Sequence, residues 1–395
     1  MRLIRIWAGI LFVLLVAFGL SVASHRSLWN DEYYSLLHTS LGNSYKSIIL
    51  GLHVGSNSPL FYILQKAQCD LFSYHPPQEW VKGHWEGVHA VDQFFLRIQS
   101  VVFMSAALSA VFYYFARRNS WGLGLYALAV TMTSFLFWVH WTEARLYAGW
   151  FALSLFQILF LLDILEGPIN QNKKSWRYLV FIHWLLALTS TASAVQIMAA
   201  GAVLGMFHRP KLLWYVPLVL LPVGICGYYY IQAPHYSFYF VDGPLALINA
   251  NIPKDRFFFI FMSALVLIFQ CRGKNCMGYL EIKYLVFFLL MLGAFGLLLA
   301  KLKYAQAQGG QGLQISNRYF LSLTPGGIVA TVLLSEYLIR AFPTRVWKAA
   351  AVVILAAFLI FRFQRMVQLV PANLTSPLSI IHPIAEDRYP GNPPL

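Results

Sequence analysis

Eleven apolar stretches divide this chain, and they limit its fold more than any other feature. They run over residues 4–24, 94–116, 121–139, 146–165, 177–190, 192–208, 211–231, 255–271, 282–301, 318–339 and 346–366. A helix needs roughly 20 mainly apolar residues to cross the hydrocarbon of a bilayer. Within that hydrocarbon only helices and closed barrels satisfy their own backbone. Charged residues make up 11% of the chain, against about 25% in a soluble domain. The sequence therefore predicts an all-α polytopic membrane protein, a bundle of about eleven transmembrane helices. Its membrane domain would span 1–366, followed by an extended, proline-rich tail over 367–395.

The net charge of +14 points to nucleic acid only if a soluble basic segment exists to bind it, and none does. Lys and Arg act here as topology signals and contacts to lipid phosphates. With the N-terminus in the cytoplasm, 15 of the 29 Lys and Arg fall in the short inner segments. Eleven of the 15 acids then fall outside. The positive-inside rule supports this orientation, so the chemistry is expected outside the cytoplasm. A bacterial inner membrane is the expected location, and the first span is expected to be an uncleaved anchor. The four cysteines form no disulfide or zinc framework by their spacing.

The largest outer segment, 25–93, is expected to carry interfacial helices. Ser58-Pro59 reads as an N-cap followed by a first-turn proline. Leu60, Phe61, Ile63, Leu64, Ala67, Leu71 and Phe72 then share one helical face, with Gln65, Lys66 and Asp70 off it. Residues 33–50 look like a weaker companion, and 74–93 like an irregular surface. Downstream, 302–317 is polar and glycine-rich, which predicts a flexible loop.

Ionisable residues gather at the outer helix mouths. Asp31 and Glu32 follow the first span, and Glu143 and Arg145 open the fourth. Arg97 and Arg318 stand at the same level at other helix ends, and together with Arg145 they describe an anion site. Asp31 is the candidate base, and Glu32 is its helper or a metal ligand. For a lone carboxylate at a helix end a solvated interface is the plainer reading, and for each arginine a snorkelling anchor. The eleven histidines show no standard metal-ligand spacing. No cofactor is called for, although a divalent metal ion held by Asp31, Glu32 or Glu143 stays open.

Five motifs occur in order: Trp29-Asn-Asp-Glu-Tyr-Tyr34, Asn57-Ser-Pro-Leu-Phe-Tyr62, Leu96-Arg-Ile-Gln-Ser100, Thr142-Glu-Ala-Arg-Leu-Tyr147 and Asn317-Arg-Tyr-Phe-Leu-Ser-Leu-Thr-Pro325. Together they resemble the landmarks of GT-C membrane glycosyltransferases, closest to glycosyltransferase family 39, the protein mannosyltransferase and aminoarabinose transferase group. The resemblance covers the first span to about residue 340. It implies a polyprenyl-phosphate-linked sugar donor, membrane lipid as partner and an extracytoplasmic acceptor (lipid, glycan or protein), with inverting transfer. It also implies Asp31 as the acid-base position, Glu143 as the second acid, and Arg145, Tyr147, Arg318 and Tyr319 shaping the donor pocket.

Two departures stand out. Where the family often has His-Pro-Pro or Lys-Pro, this chain has Asn57-Ser58-Pro59, which leaves His53 or Lys66 as substitute ligands. Where a His-Tyr pair is common, it has Thr189-Ser-Thr-Ala-Ser193. The rival reading is a transporter or flippase of lipid-linked sugars. Transporters place their sites near mid-membrane, whereas these ionisable residues collect at one face.

Overall fold

The computed structural model describes residues 2–26, 28, 30–52, 58–76, 90–118, 120–167, 173–232, 238–239, 244–270, 279–307, 313–314, 317–342 and 344–369. Each of the eleven expected spans coincides with a helical stretch. By length and apolarity, six helices among the described residues suffice to cross a membrane, or seven if one bent pair is a single span. The others are shorter or less apolar, so a count of eleven crossings does not follow. The protein is an all-α, multi-pass membrane protein.

The chain opens with α1 (Arg2–Ser24), then α2 (Asn30–Tyr34), a π-helical turn (Ser35–Leu41), α3 (Tyr45–Ile49) and α4 (Leu60–Leu71). Next come α5 (Ala90–Arg118), the bent pair α6 (Trp121–Met132) and α7 (Phe135–Trp141), and α8 (Tyr147–Glu166). Three helices follow: α9 (Lys173–Ala187), α10 (Ser193–Phe207) and α11 (Leu212–Gln232). The chain closes with α12 (Pro244–Asn251), α13 (Lys254–Gln270), α14 (Leu280–Ala307), α15 (Leu323–Ala341) and α16 (Arg345–Leu369).

The centre of the bundle is α8, whose apolar window is 78% buried, while the windows of α1 and α16 are 17% buried. A helix that is apolar all round belongs in a core, and α8 and α15 both fit that description. They pack on each other, with α5 on one side of α8 and α9 on another. Helices α5 and α6 approach closely, and a methyl on Gly124 would come within 2.8 Å of the Phe112 carbonyl oxygen. Only glycine fits there.

Three expectations need correction. The 121–139 span is not straight: α6 and α7 meet at 76° across Thr133 and Ser134. Arginines occupy the polar groups at that break. Arg256 donates to the Val130 carbonyl at 3.0 Å and to Ser134 Oγ at 2.9 Å, and Arg362 to the Thr133 carbonyl at 2.9 Å. Kinks persist where such partners re-satisfy the backbone.

The interface helix α4 forms, but Pro59 occupies its N-cap and no side chain caps it. Ser58 is buried, and the Leu60 N–H bonds to the Leu188 carbonyl at 2.8 Å. Its inner face is Phe61, Tyr62, Gln65 and Cys69, while Leu71 and Phe72 are exposed. Gln65 turns inward because the Ser40 hydroxyl donates to it.

Finally, α14 continues to Ala307, into the expected loop, and Leu313–Gln314 pairs in parallel with Phe238–Tyr239. Most of 74–93, residues 308–312 and 315–316, and the tail beyond 369 lie outside the described residues.

Candidate active site

At one mouth of the bundle, buried charges tie the early loop to the α7–α8 turn. Glu32, at 2% exposure, accepts both prongs of Arg97, Nε at 3.0 Å and Nη2 at 2.8 Å. Arg97 is fully buried and also donates to the carbonyls of Ala23 and Arg26. The same Glu32 carboxylate accepts the Ala144 N–H. Helix α2 is thereby pinned against the turn that carries Glu143. A bidentate pair in low dielectric is both strong and directional.

Glu143 is itself buried, and its carboxylate holds His140 Nδ1. Burial would raise its pKa, but the charge and hydrogen bond of His140, then Arg145 and Arg26, hold it below the usual carboxylate range. Arg26 spans the back of the turn, donating to the Val139 carbonyl and to Thr142 Oγ1, both at 2.8 Å. Burial and the neighbouring Arg97 push Arg26 down to about 10, so it keeps its charge at neutral pH.

In front of the turn stands Tyr147. The Arg145 guanidinium lies 5.1 Å from its ring centroid and that of Arg318 lies 5.6 Å away. Arg318 also lies 5.9 Å from the Tyr319 ring, and the His140 ring sits 4.9 Å from Tyr147. An aromatic plate with two guanidiniums against it orients planar forks for a phosphate or carboxylate.

Most residues expected from sequence therefore meet: Glu32, Arg97, Glu143, Arg145, Tyr147, Arg318 and Tyr319. Of Asp31 only the backbone is described, one residue before Glu32 in α2. His53 and Asn57 lie outside the described residues. Lys66 sits apart, 3.9 Å from Asp70 and 5.3 Å from the Tyr45 ring. Among the described residues no three His, Cys, Asp or Glu come together as a metal site.

Two members escaped the sequence reading, Arg26 and His140. The three-residue spacing of His140 and Glu143 was the available signal for one. Arg26 gave none, because its partners lie more than a hundred residues away.

These features define a multi-pass helical membrane fold with a charged site at one mouth. The sequence matches no known protein-family model and no curated protein. The fold is similar to that of ArnT from Cupriavidus metallidurans, whose crystal structure contains undecaprenyl phosphate. The likeness has a TM-score of 0.51 at 11% identity, over 94% of this chain and 74% of that one.

Proposed function

We propose that this protein is an integral membrane glycosyltransferase, moving a sugar from a polyprenyl-phosphate-linked donor to an acceptor outside the cytoplasm. The observation that carries the reading is the Arg145–Tyr147–Arg318 cluster beside buried Glu143, at the mouth where Glu32 and Arg97 anchor α2. The similarity to a fold solved with undecaprenyl phosphate agrees with it.

In this reading Arg145 and Arg318 hold the donor phosphate and stabilise the charge that builds on it. Asp31 takes the proton from the acceptor hydroxyl or amine as that atom attacks the anomeric carbon. The carbon–oxygen bond to phosphate breaks on the opposite face, its electron pair leaves with the phosphate, and the configuration inverts. Glu32 and Arg97 position α2 rather than touch substrate, since both are spent on each other and on backbone.

The test is release of undecaprenyl phosphate from a panel of undecaprenyl-phosphate-linked hexoses and pentoses by the protein in lipid nanodiscs, with cell-envelope lipid, glycan and protein supplied as acceptors. Asp31→Asn should lower release by about 10²–10⁴-fold while undecaprenyl phosphate still binds. Full activity in that variant removes the base. Arg318→Ala should raise the donor concentration needed, and unchanged donor dependence would remove the phosphate contact.

A further inference from the structure

His140 has no assignment in the scheme above, yet its setting is unusual. It is 3% exposed. Its Nδ1 is committed to Glu143, and its Nε2 is buried without a hydrogen-bond partner among the described residues. A buried polar atom left unpaired costs about 1–3 kcal/mol, and such atoms call for a reason. Its ring lies 4.9 Å from that of Tyr147, the plate against which Arg145 and Arg318 rest.

From this geometry we infer that His140 Nε2 reads the transferred sugar by a hydrogen bond with one of its hydroxyl groups. The inference rests on the glycosyltransferase reading and adds a specificity residue to it.

The chemistry narrows the partner. Glu143 accepts, so Nδ1 is the nitrogen that carries the proton. Nε2 is the nitrogen left for substrate, and a sugar hydroxyl, which both donates and accepts, can pair with it. Arg145 and Arg318 already serve the phosphate. The sugar is the part of the donor bonded directly to the phosphate. His140, its ring 4.9 Å from the Tyr147 plate that the two guanidiniums share, is therefore placed beside that sugar. Glu143 acts through His140, fixing its tautomer and ring plane, as second-shell carboxylates do for histidines at metal sites.

The experiment compares wild type and His140→Asn on whichever donor of the panel is turned over, and on deoxy counterparts lacking one hydroxyl each. Asparagine keeps a donor toward Glu143 and removes Nε2. Wild type should lose at least about 10-fold in kcat/KM on one deoxy donor, as sites built to bind a hydroxyl reject its absence. His140→Asn should lose a similar factor on the full donor and little more on that deoxy donor. Undecaprenyl phosphate binding by native mass spectrometry should not change. Equal losses on full and deoxy donors would overturn the inference, as would wild-type rates in the variant. If wild type binds undecaprenyl phosphate yet releases none from any donor, the glycosyltransferase reading fails and takes the inference with it. Should His140→Asn not fold, Glu143→Gln offers a second route: it must relax the same hydroxyl preference.

Discussion

At the residue scale, the informative contrast is between Glu32 and Glu143, two buried acids with different partners. Glu32 is matched by a permanent cation, Arg97, and an N–H, which makes it architectural. Glu143 is matched by an imidazole, a group that still offers a second nitrogen. Removing one member of a buried ion pair leaves the other charge uncompensated, at a cost of about 3–5 kcal/mol. Glu32→Gln and Arg97→Gln should each lower unfolding stability in detergent by that order. The double replacement Glu32→Leu with Arg97→Leu should cost less than the two single losses combined. Single variants as stable as wild type would show that the pair does not hold α2 in place.

At the element scale, α11 shows how a membrane helix manages its own defects. A π-helical turn runs from Val216 to Leu220, and the Leu221 N–H reaches back to the Val216 carbonyl. The carbonyl of Pro217 thereby loses its ordinary donor. Leu218 would take its donor from Pro222, which has no N–H. Helix α9 supplies both replacements: Trp184 Nε1 donates to Pro217 at 3.0 Å and His183 Nδ1 to Leu218 at 2.6 Å. The buried polar atoms His183, Gln157 and Gln196 thus cross-link α8, α9, α10 and α11 inside the apolar region. Their bonds go to one another and to backbone, which is architecture rather than a transport path. His183→Leu should destabilise by about 1–3 kcal/mol by stranding a carbonyl. In a Pro222→Ala background, where a main-chain donor returns, the same change should cost less. Equal costs in both backgrounds would sever the link between histidine and proline.

At the scale of the whole molecule, charge is sorted to two ends. Arg97 and Arg118 stand 21 positions apart on α5, about 30 Å along a helix. Around Arg97 lies the candidate site. Around Arg118 lies a second network in which Arg118 meets Glu166 and Glu336, and Arg340 meets Glu281 and Glu336. The second end carries the residues that the positive-inside count places in the cytoplasm. With the native cysteines replaced by serine, Ser73→Cys should react with a membrane-impermeant thiol reagent on intact cells. Ser120→Cys should react only after permeabilisation. The reverse pattern would invert the protein and put the site on the cytoplasmic side.

The sequence by itself determined the membrane character, the positions of the helices and the gathering of acids and arginines at one set of helix mouths. Those properties follow from local periodicity and from the cost of placing charge in hydrocarbon, and both are written residue by residue. Only the tertiary structure decided which charges meet. Glu32 joins Arg97 across 65 positions and Ala144 across 112, and no local pattern encodes such separations. The fold likewise decided that the third span breaks at Thr133–Ser134, since that kink depends on Arg256 and Arg362 arriving from distant helices. The role of His140 was out of reach for the same reason. Its spacing from Glu143 is local, but what makes it unusual is burial against Tyr147 with one nitrogen unpaired, and burial belongs to the folded bundle.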